Sequence, residues 1–98
     1  MKAKQIFKRR VVISQGSFVE LLIWEVPKPV VASEHDYKYS LAFICDGECV
    51  LRYDNEAGKG DHKHIGNIEV NYEFINIDQL IADFFEDVKR WQNENCNS

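Results

Sequence analysis

Tyr37-Lys38-Tyr39-Ser40-Leu41-Ala42-Phe43-Ile44-Cys45, followed by Asp46-Gly47 and then Glu48-Cys49-Val50-Leu51-Arg52-Tyr53-Asp54, is the stretch that decides the fold. In an extended chain successive side chains point to opposite faces, so Tyr37, Tyr39, Leu41, Phe43 and Cys45 share one face. Lys38, Ser40, Ala42 and Ile44 take the other. Asp46-Gly47 between two such runs predicts a two-residue turn, because both residues accept the positive φ that tight hairpins demand. The return strand sets Cys49, Leu51 and Tyr53 against Val50, Arg52 and Asp54.

Upstream, residues 5–14 read as a strand, with Phe7, Val11 and Ile13 of one parity and Ile6 and Val12 of the other. Ser14-Gln15-Gly16-Ser17 ends it. Residues 18–26 form a second strand, apolar on both faces except at Glu20 and Glu25, which suits a central or doubly covered position. Pro27-Lys28-Pro29 stops it, since proline cannot donate to a ladder. Residues 30–36 read as a polar connection in which His35 is solvated or joins the site as a third histidine.

Downstream of residue 54 a polar loop runs to His64, and a short extended piece over 68–74 adds a strand. The chain ends in a helix: Asn76 caps it, with Gln79 three positions on. Ile77, Leu80, Ile81, Phe84, Phe85, Val88 and Trp91 make one wide apolar stripe opposite Asp78, Asp83, Glu86, Asp87, Lys89 and Arg90. Trp24 and Trp91 read as core anchors. The expected fold class is α+β, an antiparallel sheet of four or five strands with one C-terminal amphipathic helix packed on a face. Residues 1–98 read as a single domain, since 98 residues supply one core and not two.

With 45% hydrophobic residues, five glycines and two prolines, the composition excludes disordered and collagen-like classes. Cys45, Cys49 and Cys96 are too few, and odd in number, for a disulfide framework. Cys45 and Cys49 flank the hairpin turn, which would set them on neighbouring strands. No apolar segment follows the basic start and no run approaches a membrane span, so a cytoplasmic protein with no membrane partner is the expectation. The net charge of −4 speaks against broad nucleic-acid coating. That charge is unevenly placed. Lys2, Lys4, Lys8, Arg9 and Arg10 put +5 in the first ten residues, while residues 77–94 carry −3.

The segment from Asp54 to His64 gathers Asp54, Glu56, Lys59, Asp61, His62, Lys63 and His64 within eleven residues. A solvated loop rich in charge is one reading. The other is a site, because histidines beside cations suit proton transfer at a phosphate. For metal-free RNA cleavage, His62 and His64 supply base and acid, and Lys59 or Lys63 offsets charge on the phosphorane. Asp61 or Asp54 then orients a histidine. Gly58 and Gly60 let backbone approach a phosphate, and Arg52, Arg9 and Arg10 contribute to a backbone groove. No cofactor or metal is needed in that reading. A metal-dependent nuclease would instead use Asp54, Glu56, Asp61 and a histidine as ligands. The spacing does not fit a P-loop.

Tyr53-Asp54-Asn55-Glu56 followed by Gly58-Lys59-Gly60-Asp61-His62-Lys63-His64-Ile65-Gly66 resembles the TumE-type toxins of bacterial toxin–antitoxin modules. The likeness extends to Trp24-x-Val26-Pro27-x-Pro29, to Tyr37-Lys38-Tyr39 and to Gln79-Leu80-x-Ala82-Asp83-Phe84. It implies a small cytosolic toxin encoded beside a helix-turn-helix antitoxin, and toxins of such modules are often ribonucleases. The partners expected are therefore that antitoxin and RNA, with a homodimer or toxin–antitoxin hetero-oligomer as the assembly. Ala57 stands where the family often has arginine, which would shift phosphate binding onto Lys59 and Lys63. The competing classes are a non-enzymatic module that sequesters a protein or nucleotide, and an accessory subunit whose loop is only an interface.

Overall fold

A computed structural model describes residues 3–55, 58 and 60–95. Strands β1 (Lys4–Ser14), β2 (Ser17–Glu25), β3 (Tyr37–Cys45), β4 (Glu48–Asp54), β5 (His62–Ile65) and β6 (Ile68–Asn71) precede helix α1 (Ile77–Asn95). The strands lie in chain order in one antiparallel sheet. The α+β architecture is as expected, with six strands in place of four or five. The extra pairing comes from the His-rich segment: His62–Ile65 folds back on Ile68–Asn71 around Gly66, whose φ is +60°. With only four residues per strand and no apolar alternation in His62-Lys63-His64, this hairpin has no period-2 signature.

The long hairpin forms as the sequence requires. Asp46 and Gly47 both take positive φ, 52° and 80°, in the turn joining β3 to β4. The register sets Cys45 opposite Glu48 and Cys49 opposite Ile44, so the two cysteines do not face each other. A shift between Phe43 and Ile44 marks a bulge at that end of the pair.

One sheet face holds the core. Val19, Leu21 and Ile23 of β2, Tyr39, Leu41 and Phe43 of β3, and Leu51 and Tyr53 of β4 are buried together with Leu80, Phe84 and Val88 of α1. The helix covers this face along its apolar stripe, and Trp91 meets Phe43 edge-on at 5.6 Å. Its start is fixed by Asn76, whose Oδ1 accepts from the Gln79 amide at 2.8 Å. The Gln79 side chain donates forward to Asp83 at 2.7 Å rather than back to the Asn76 amide, so only half of a reciprocal capping box forms. Trp24 is not part of the core; it lies between Gln5 and Lys38 on the face opposite the helix.

Among the described residues that second face carries no helix, and on it the register aligns two cross-strand rows. One runs Lys8, Leu22, Ser40, Asp54, His62, Asn71 from β1 to β6. The other runs Arg10, Glu20, Ala42, Arg52, His64, Glu69. Residues spread over sixty positions of sequence thus meet on one open surface.

Candidate functional site

The two rows bring together Asp54, His62, His64, Arg52 and Arg10. A groove of about 590 Å³ crosses this face, with Lys8, Arg10, Glu20, Leu22, Ala42 and Arg52 among its walls. A second depression of about 270 Å³, lined by Arg52 and His64 among others, lies beside it. Arg10 is partly committed, donating to Glu20 at 3.0 Å and lying over the Phe18 ring at 4.6 Å. Arg52 is the exposed cross-strand partner of His64. The His64 side chain is 38% exposed, with Nε2 3.4 Å from a Glu69 carboxylate oxygen, too long for a strong bond.

His62 stands behind it, its side chain 4% exposed and its ring edge-on to His64 at 5.0 Å. Nδ1 lies 2.9 Å from the Gly60 carbonyl oxygen, which can only accept, so Nδ1 carries a proton and donates. Nε2 lies 2.9 Å from Asp54 Oδ1. A lone pair there would face a carboxylate oxygen, so a proton or a metal ion must lie between the two atoms. The two candidate histidines are therefore different in kind. Both nitrogens of His62 are engaged, whereas His64 lines the depression beside the groove.

Asp61 belongs to a separate cluster. Its Oδ1 accepts from Ser33 at 2.6 Å, and its Oδ2 accepts from His35 Nε2 at 2.7 Å and from the Tyr39 hydroxyl at 2.7 Å. Asp61 does orient a histidine, but that histidine is His35. His35 is not solvated: its Nδ1 accepts from the Tyr37 amide at 3.2 Å and its ring stacks on Phe74 at 3.8 Å. Asn55, fully buried, completes the cluster by donating to Tyr37 O and Ser33 Oγ and accepting from the Tyr39 amide. Ser33 bonds Asp61 and not His35, so no nucleophile–base pair is formed. Burial, then the bond to Asp61, pushes the Tyr39 phenol far above its ordinary value.

Lys63 points away from both histidines. It packs on the helix side, 3.0 Å from Asp87 Oδ2. The buried Asp87 also accepts from the Tyr53 hydroxyl and from Arg90. Burial and this bond raise the Tyr53 phenol as well, and burial with a bond to Asp83 raises Tyr72. Arg9 has the parity of the helix face, its cation 5.4 Å from the Phe7 ring centroid, and also borders the open-face groove. Gly60 is buried, at φ +79°, where an added Cβ would lie 2.8 Å from the Ala32 carbonyl oxygen. Its glycine requirement comes from that close approach. Gly58, at φ +70°, is exposed. Lys59, Glu56 and Ala57 lie outside the described residues, as does Cys96.

Sequence reasoning missed the Ser33–His35–Tyr39–Asn55 cluster and the role of Asp87. No sequence signal links His35 to Asp61 across 26 positions. Asp87 had one: an acid adjoining the apolar stripe, beside Val88. Among the described residues, no helix is long and apolar enough to cross a membrane.

The family model described as Toxin TumE matches residues 2–92. No curated protein and no solved structure matches the chain. With nearly the whole length matched, the chain belongs to the TumE toxin family, a toxin of a toxin–antitoxin module whose partner is an antitoxin.

Proposed function

Starting from that family membership, we propose that the toxin is an endoribonuclease whose substrate lies on the open sheet face. The observation that carries this reading is the partly exposed His64 imidazole in a depression that shares Arg52 with the adjoining groove, which bears Lys8 and Arg10. Cations in such a groove follow a phosphodiester backbone, and the described helix lies on the other face. His64 Nε2 takes the proton of the ribose 2′-hydroxyl. The 2′-oxygen bonds to phosphorus, the P–O5′ bond breaks, and the 5′-oxygen leaves protonated by water or by the same imidazolium. Arg52, cross-strand from His64, offsets charge on the equatorial oxygens. The buried Asp54–His62 pair holds the strand and ring that back His64; these two are positioning residues. A helix-turn-helix antitoxin neutralises the toxin by covering this face in the cytoplasm of the host.

The test uses purified toxin with total RNA in EDTA. Wild type is expected to cleave, and His64→Gln to slow cleavage about 10²–10⁴-fold, the range for loss of a general base. The same variant, induced in a host without the antitoxin, is expected to permit growth. RNA left intact by wild type, or equal growth arrest from both forms, would turn the assignment toward sequestration of a target.

A further inference from the structure

Asp54, His62 and His64 each offer one ligand atom, and the three atoms lie within 4.8 Å of one another. We infer that these residues bind one transition-metal dication of the zinc class, and that its occupancy switches off the proposed cleavage by taking the His64 lone pair. The second half rests on the ribonuclease reading; the first does not.

The geometry begins at Gly60. Its backbone is held at positive φ against Ala32, which fixes the direction of its carbonyl. That carbonyl accepts from His62 Nδ1, the outer hydrogen bond by which metal-binding histidines are commonly oriented. The tautomer so selected aims the Nε2 lone pair at Asp54 Oδ1, 2.9 Å away. An acceptor facing an acceptor in a nearly dry position needs a proton or a metal ion between them. A second ring proton meets that need for this pair alone. A metal ion meets it while also engaging His64, whose ring adjoins His62 on the same face.

The donor set selects the ion. Two imidazoles and one carboxylate suit zinc, nickel or copper, whereas magnesium and calcium prefer all-oxygen sites. Ligand atoms about 2.0–2.2 Å from zinc lie roughly 3–3.5 Å apart, so the Asp54–His62 pair at 2.9 Å must open slightly and His64 close in from within 4.8 Å. Three protein ligands leave a coordination position open, and His64 as the exposed member sets that opening toward the depression it lines. Arg52 opposes the ion electrostatically from across the strand, while Glu69, 3.4 Å from His64 Nε2, favours it.

The experiment titrates the full-length, tag-free toxin with Zn²⁺ against a chromophoric chelator, and measures RNA cleavage in parallel. Expected are one ion per chain, affinity lowered at least about tenfold in Asp54→Asn and His64→Gln, and no change in His35→Gln. Arg52→Ala is expected to tighten zinc binding a few-fold, since it removes a neighbouring positive charge. Cleavage should fall in proportion to occupancy and return with EDTA. No binding, or binding unaltered in Asp54→Asn and His64→Gln, overturns the site. Cleavage that requires zinc or ignores its occupancy overturns the switch. Zinc binding with RNA intact throughout upholds the site and breaks the ribonuclease reading together with the switch built on it.

Discussion

Two histidine–aspartate pairs in this molecule differ in what surrounds them. His35 donates to Asp61 through Nε2, accepts from the Tyr37 amide at Nδ1, and lies under Phe74. Both nitrogens are satisfied by one neutral tautomer, and Asp61 has two further donors. His62 donates at Nδ1 and presents Nε2 to Asp54, a contact that needs a further proton or a metal ion between the two atoms. The first pair staples the 30–36 connection to the entry of β5. The second holds a demand for positive charge beside an accessible imidazole. The same two residue types thus make a fastener in one place and a candidate site in the other, and hydrogen-bond direction separates them.

The largest effect expected from this contrast is on stability. Asp61→Ala strands the Ser33, His35 and Tyr39 donors in a nearly dry position, at a cost of about 3–5 kcal/mol. Asp54→Ala removes one acceptor facing His62 and should cost about 1–2 kcal/mol. Urea unfolding with unchanged slope reads both values. Equal losses would erase the distinction between fastener and site.

The fold was legible where one periodicity ruled. The Tyr37–Cys45 alternation, the Asp46-Gly47 turn and the helical stripe from Ile77 to Trp91 each have one geometric solution. The β5–β6 hairpin was not legible, because His62-Lys63-His64 carries no apolar alternation. The candidate site was half legible. Local spacing puts His62 and His64 on one face once the segment is extended, and sends Lys63 to the other. The burial of His62, the engagement of Asp61 by His35 and the withdrawal of Lys63 to Asp87 depend on strands far apart in sequence. Trp24 misled because both faces of β2 are apolar, and only the position of α1 decides which one becomes the core.

A middle-sized effect comes with alkaline pH. The Tyr39 and Tyr53 phenols stay protonated in the folded chain far above the ordinary value near 10. The unfolded chain loses those protons first, so their contribution is complete below about pH 10 and declines as pH rises beyond it. Each contributes a slope of about −1.4 kcal/mol per pH unit in that window. Tyr39→Phe should flatten the alkaline limb by that amount. An identical limb in the variant would mean that the Asp61 fastener does not hold the phenol as a donor.

The smallest effect distinguishes the basic residues. Lys8, Arg10 and Arg52 lie along the open-face groove, whereas Lys63 is bound to Asp87 on the helix side. If the groove follows an RNA backbone, each cation in contact with phosphate releases counterions on binding. Removing one then lowers the salt dependence by about 0.7 for a single strand, with a few-fold loss of affinity. Binding of the His64→Gln toxin to single-stranded RNA, followed from about 50 to 200 mM salt, avoids cleavage during the measurement. Lys8→Ala and Arg52→Ala should each reduce the slope. Arg10→Ala should reduce it less, because Glu20 already pairs with that guanidinium. Lys63→Met should leave the slope unchanged even though Lys63 lies between the two histidines in sequence. A change in slope for Lys63 and none for Lys8 would place the RNA on the helix side and remove the open face from consideration.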